Sequence, residues 1–383
     1  MKKPLLIVIA ILAIILVLPV FNLIQWTFQT KKPLDIITVN KTVPTLEREK
    51  HKSFTWILTN ERFVKTGNKS YSYIKDYFGF SPTRPLREHG SKRNDYRLSD
   101  VLNLAENNDA IYITDTYGIS FNDWYGGINK SRKSRRIYGG LNNTDNLLIK
   151  EMKDRNKLVI VEYNSFDYPT TEFESFRMQE RLGISFTGWV GKYYHELDTT
   201  GPDFPIWMTS MYRKQYNQPW TFKKPGIVLL SQKEIIVLEE GTHLINPFPH
   251  IVTDSLYADK WNLPGVVAFD QHFDIIDPAG SNVISRFRLE TNAAGDTLLA
   301  GKFLSNEFPA VIQDKQNERT YYFSGDFTYV NVPFWTARFK GADKLAGVFY
   351  SKKPDDTRRF FWKYYKPLIN GIFTDYYNSI NTK

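Results

Sequence analysis

The chain has 383 residues, of which 42% are apolar and 24% charged, with a formal net charge of +9. That balance belongs to a folded chain of one large domain or two ordinary ones, and excludes a disordered polyelectrolyte. Cysteine is absent, which excludes disulfides, cysteine-ligated zinc and thiolate catalysis without fixing a compartment.

The N-terminal stretch "MKKPLLIVIAILAIILVLPVFNLIQWTFQTKK" carries no charge between Lys3 and Lys31. Pro4 to Ile24 is almost entirely apolar, and about 20 such residues suffice to cross a bilayer. Trp26 and Phe28 fit an interfacial aromatic anchor. No Ala-x-Ala pattern follows, so an uncleaved signal anchor over 1–30 is expected, with the body outside the cytoplasm of a single-pass cell-membrane protein. Lys2, Lys3, Lys31, Lys32 and the run "KSRKSRR" (130–136) supply nine positive charges. Beside a membrane they suggest contact with an anionic phospholipid or an acidic glycan, or membership of a membrane-protein complex. Nucleic acid is not expected, because no recognition motif is present. Residues 31–52, rich in charge and interrupted by two prolines, read as a linker.

Further along, "SFTWILTN" (53–60) has strand character and "SYIKDYFGFSP" (72–82) has helix-like spacing. "LSDVLNLAENN" (98–108) predicts a helix capped by Ser99, and "AIYITD" (110–115) a strand. After a polar, Gly-rich insert (116–140), "TDNLLIKEMKDRN" (144–156) predicts a helix capped by Thr144. "KLVIVEYN" (157–164) is the most apolar strand, and "TTEFESFRMQERLG" (170–183) a helix closed by Gly183. Strands alternating with helices, without polar alternation, indicate a parallel sheet buried on both faces. The second half is β-rich. "GIVLL" (226–230) and "EIIVLEEG" (234–241) predict a hairpin. Strands follow in "VVAFDQHFDII" (266–276), "NVISRFRL" (282–289) and "PAVIQDKQNERTYYFSGDF" (309–327). An aromatic C-terminal helix (356–380) is broken near Pro367.

The order "AIYITD", then "YGGLNNTDNLLIKEMKDRNKLVIVEYNSF", then a capped helix, with the late "PAVIQDKQNERTYYFSGDF", resembles the class I glutamine amidotransferase-like fold over roughly 53–183 and 309–327. The resemblance implies an α/β domain over 53–383, a parallel doubly wound sheet with a β-rich insertion at about 184–308. It also implies a nucleophile elbow after the 157–164 strand. That elbow here reads Glu162-Tyr163-Asn164-Ser165, so cysteine-dependent glutaminase chemistry is not expected.

Ligands of parallel sheets sit at the carboxyl ends of the strands. Asp115, Glu162 and Asp326 are therefore candidate general acids and bases for cleaving an envelope glycan, or else Asp115 and Asp326 cap turns and helices and Glu162 pairs with a nearby arginine. Asn164 and Ser165 are candidate ligand-binding residues; Ser165 lacks the Gly flanks and a placed histidine for a serine hydrolase. Asp270, His272 and Asp274 alternate along a strand, a possible divalent-metal face or a solvated one. Lys130, Arg132, Lys133, Arg135 and Arg136 would hang over the cleft mouth as an anion-binding lid, or form a solvated loop. No cofactor is expected. The leading expectation is an accessory component that binds an anionic or glycan ligand in surface-polysaccharide processes. A glycan hydrolase and a structural subunit are the alternatives.

Overall fold

A computed structural model describes residues 17, 19–82, 91–125, 134–201, 204–348, 350–351, 353 and 356–382. Five parallel strands form the centre, in the order Phe78–Pro82, Ile36–Asn40, Ala110–Asp115, Leu158–Glu162, Thr320–Phe323. Their side chains alternate between two cores, as a strand's period of two requires. Tyr112, Ile160 and Phe323 enter one core with Phe54, Trp56 and Phe373. Ile111, Ile113, Val159 and Val161 enter the other, under Val101, Leu148, Met152 and Met178 from three helices.

The expected parallel doubly wound fold is corrected. Beyond Thr320–Phe323 the sheet runs antiparallel through Glu307–Gln313, Asn282–Arg288, His250–Thr253 and Val266–Ala268, and Ser91–Asn94 adds an antiparallel strand at the other edge. The result is a mixed sheet of ten strands. A second, antiparallel sheet holds Ile235–Glu239, Gly226–Leu230, Ser185–Tyr194 and His272–Asp277. The β-rich region at 184–308 is thus shared between both sheets and woven into the main one.

The linker expected at 31–52 contains the buried central strand Ile36–Asn40, which the flanking Pro33 and Pro44 obscure in the sequence. The strand expected at 53–60 is helix, Glu49–Asn60. It is buried on nearly every side, so it shows no amphipathic stripe. Its β-branched threonines are accommodated because Thr55 and Thr59 donate their hydroxyls to carbonyls one turn back, His51 O at 3.0 Å and Thr55 O at 2.9 Å. Of the segment 72–82, only Phe78–Pro82 is regular, and it is strand. The helix Asn143–Asp154 is capped by Asn142, which accepts from Asp145 N at 3.0 Å while Asp145 accepts from Asn142 N at 2.9 Å. Ser99 caps nothing; it lies within a short 3₁₀ turn, Leu98–Asp100, ahead of helix Val101–Asn107. The helix Glu172–Leu182 ends as expected on Gly183 in the left-handed region. The C-terminal helix does not break at Pro367. It widens into a π turn over Phe361–Tyr365 and runs on through Lys366–Asn381.

The membrane-anchored, single-pass arrangement is also corrected. Among the described residues no helix is long and apolar enough to cross a membrane; residues 1–16 and 18 lie outside those described. Residues 19–28 are helical; of the two aromatics assigned to an interfacial anchor, Phe28 is exposed while Trp26 packs on the body. Trp26 Nε1 donates to Thr59 O at 3.0 Å, and the Arg62 guanidinium stacks on its ring at 4.2 Å.

Candidate functional site: a lysine-bridged carboxylate floor beneath an aromatic cleft

The carboxyl ends of the parallel strands converge, as their direction demands, and bring Asp115, Glu162 and Asp326 into one neighbourhood. Between two of them lies a residue that sequence reasoning missed. Lys50, in the first turn of the helix Glu49–Asn60, places its Nζ 2.6 Å from Asp115 Oδ2 and 2.5 Å from Asp326 Oδ2. Both carboxylates are almost wholly buried, and Lys50 bonds both of them, while the Lys192 charge in the same cleft also acts on Asp326. Burial alone would lower the Lys50 ammonium, but the two carboxylates outweigh it and hold the group above its ordinary range. Asp115 Oδ1 is occupied as well, accepting from Thr42 Oγ1 at 2.5 Å and Tyr117 N at 2.7 Å. Asp326 Oδ1 is buried without a partner among the described residues. Desolvation, with the Asp115 charge behind it, pushes the Asp326 carboxyl up despite Lys50.

Glu162 sits deeper and is fully buried. Neither of the sequence alternatives describes it, because it does not line the cleft and makes no ion pair among the described residues. Its Oε2 accepts from Tyr112 Oη at 2.7 Å and its Oε1 from Thr328 N at 2.8 Å; the Tyr112 hydroxyl lies 3.2 Å from that of Tyr365. Burial, reinforced by the nearby Asp326 charge, raises its carboxyl well above the ordinary range. A neutral carboxylic acid satisfies this network, since it can donate to Tyr112 while Tyr112 donates onward to Tyr365.

The two residues after Tyr163 diverge. Ser165 is buried and donates its hydroxyl to Glu162 O at 2.8 Å, so it is a turn residue and neither nucleophile nor ligand contact. Asn164 takes a left-handed backbone, φ 72°, tolerated by asparagine. Its carbonyl accepts from Thr116 Oγ1 at 3.1 Å and its N–H points to Asp274 at 3.3 Å. Its side-chain amide has no partner among the described residues and lines a cleft of about 650 Å³.

Lys50, Tyr163 and His272 share the floor of this cleft, and Tyr117, Tyr168, Tyr194, Phe204 and Trp207 stand around it. His272 stacks on Tyr163 with ring centroids 5.8 Å apart. Burial drives its imidazole well below the ordinary range, and the Lys192 and Lys50 charges act in the same direction, so the ring is neutral. A neutral imidazole offers one donor and one acceptor.

The metal expectation fails on geometry. Asp274 is buried on the far side of Asn164 and accepts from the Tyr322 hydroxyl, His272 lines the cleft, and Asp270 precedes the strand. Among the described residues no group of three or more His, Asp or Glu side chains could hold a metal ion.

Of the basic run, Lys130, Arg132 and Lys133 lie outside the described residues. Arg135 lines a side arm of about 450 Å³ with Ser134, Asp167, Tyr168 and Gln232. Arg136 lies against the face of Tyr117 at 3.3 Å from the ring centroid, which fixes that ring at the cleft edge.

Sequence reading reached Asp115, Glu162, Asp326, Asn164 and His272. It missed Lys50 because "EREKHK" reads as a charged linker, and it missed Tyr117 and Tyr163 because tyrosine is abundant throughout the chain. Chemically the arrangement is poorer in acid–base groups than three converging carboxylates suggest. Two are tied to one lysine and the third is sealed beneath them. What faces the cleft is a pair of lysines, Lys50 and Lys192, the Asn164 amide, the neutral His272 imidazole, several aromatic rings and the carboxylates Asp123 and Asp167.

No family model matches the chain, and no curated protein matches it. Neither comparison connects it to the amidotransferase-like family.

Proposed function

We propose that this cleft binds carbohydrate and that the protein acts as a non-hydrolytic binding component in the handling of a polysaccharide. The observation that carries the reading is the pairing of polar groups that have no partner among the described residues with aromatic faces. Lys50 uses two of its three N–H bonds on Asp115 and Asp326; the third, the Asn164 amide and the His272 ring share the cleft with Tyr117, Tyr163 and Trp207. Sugars present hydroxyls at the ring edge and C–H groups on the face, and this lining supplies a counterpart for each. Glycan hydrolysis would require a carboxyl pair flanking the bond, roughly 5–10 Å apart and reachable by substrate. Here Asp115 and Asp326 are bound to the same ammonium, and Glu162 lies beneath the floor; of the carboxylates that line the cleft itself, Asp123 accepts from Ser120 N and Oγ and Asp167 from Tyr168 N.

The test is titration of the full chain with a panel of neutral and acidic oligosaccharides, followed by the Asn164→Gly variant, which removes the amide at a backbone conformation glycine adopts freely, and the His272→Ala variant. Each variant should weaken binding by about tenfold or more, the loss of one or two buried hydrogen bonds, with the unfolding midpoint little changed. Absence of binding across the panel, or variants that bind as the parent does, would overturn the reading.

A further inference from the structure

The main cleft does not end at its rim. The side arm of about 450 Å³ shares Ser134, Asp167 and Tyr168 with it. A third cavity of about 610 Å³ shares Asp167, Tyr168 and Ser231 with the main cleft, and Gln232 with the side arm. All three therefore meet at Asp167 and Tyr168. Tyr168 is 59% exposed, so its ring stands up at the junction instead of filling a core. The Arg136 guanidinium lies between the Tyr117 and Tyr168 rings, at 3.3 Å and 5.8 Å from their centroids, which ties the platform of the main cleft to the platform of the junction. Beyond it, the third cavity repeats the composition of the first. Half-buried Phe186, backed by the core rings Phe166 and Trp189, provides aromatic surface, and the exposed Gln232 and Lys233 provide hydrogen-bonding groups.

Each cavity alone falls in the roughly 300–1,000 Å³ range of a complete small-molecule site. A single monosaccharide leaves most of that space to water. Resting on the carbohydrate reading above, we infer that the occupant is a linear oligosaccharide or polysaccharide chain that runs from the main cleft over Tyr168 into the distal cavity, with aromatic platforms spaced along its path. Such a ligand gains contacts with each added sugar until the distal cavity is filled, and then gains no more.

The test uses the full chain and a homologous series from N-acetylglucosamine to its β-1,4-linked hexamer, with the matching galacturonic acid series as an acidic counterpart, each titrated calorimetrically. The expected result is an affinity that rises at least tenfold between the monosaccharide and the tetramer in one of the two series, then levels off. Gln232→Trp, which fills the distal cavities at an exposed turn and lines no part of the main cleft, should collapse that difference. Binding that is already maximal for the monosaccharide or dimer overturns the extended-chain inference while leaving the carbohydrate reading intact. A length-dependent gain that Gln232→Trp does not alter also overturns it. Failure of every member of both series to bind overturns both.

Discussion

The Nζ of Lys50 lies 2.5 Å from Asp326 Oδ2, across 276 residues of sequence. This contact ties the first turn of an early helix to the loop after the last strand of the main sheet, and the second branch to Asp115 closes the triad. Removing one partner from a buried ion cluster leaves the remaining charges uncompensated, at a typical cost of about 3–5 kcal/mol. Lys50→Met is expected to destabilise the protein by that order, measured by chemical denaturation. The double variant Lys50→Met with Asp326→Asn should recover part of the loss, because it removes one of the stranded charges. A single variant as stable as the parent would contradict the assigned role.

Glu162 yields the opposite expectation. A carboxyl that burial drives towards its neutral form loses little on replacement by an amide. Glu162→Gln keeps an oxygen to accept from Thr328 N and gains a donor towards Tyr112 Oη, which can still donate to Tyr365. The change in stability should stay within about 1 kcal/mol, with ligand binding unchanged, whereas Glu162→Ala, which opens a cavity and orphans Thr328 N, should cost about 2–4 kcal/mol. A large loss in Glu162→Gln would show that the carboxylate is ionised.

Asp274 sets a pH dependence whose sign is fixed by its burial. Desolvation raises its carboxyl from 3.8 to about 7, against hydrogen bonds from Tyr322 and Asn164 N that favour the ionised form. Below about pH 4 it is protonated in both folded and unfolded chains. Between about 4 and 7 the folded state alone holds the proton, so its contribution to stability is lost as pH rises through that window. His51 acts in the other direction, because burial lowers its ring from 6.5 to about 4 and acidification through that range destabilises the fold. The clean measurement is therefore the difference between parent and Asp274→Asn. The variant should be the more stable at pH 8, and its advantage should shrink as pH falls towards 4. A difference independent of pH would refute the assignment.

The apolar centre of this fold was legible in the sequence wherever a segment's burial matched its period. "AIYITD" and "KLVIVEYN" read as strands because both faces are buried and nothing polar interrupts them. The helices at 143–154 and 172–182 read as helices because each has one apolar stripe and an end signal, although Asn142 and not Thr144 is the cap of the first. The failures share a cause. Glu49–Asn60 is buried around most of its circumference, so its periodicity vanishes, and "SFTWILTN" passes for a strand. Losing that helix also lost Lys50 and with it the state of the site. The convergence of Asp115, Glu162 and Asp326 follows from strand direction alone. Their electrical state depended on one lysine from a stretch that looks like a linker, and no local pattern places it there.

The strand Thr320–Phe323 completes the parallel set against Leu158–Glu162, and the C-terminal helix sets Phe373 against Phe54 and Phe63. A chain emerging from the ribosome therefore presents an unpaired edge at Leu158–Glu162 until residues 320–323 follow, and bare aromatic surface around Phe54 until residue 373 is made. Such surface is exposed to aggregation while synthesis proceeds. A stop codon that removed only the last helix would leave that surface uncovered in the finished product, so the outcome expected of such a truncation is aggregation or proteolysis rather than a smaller working protein.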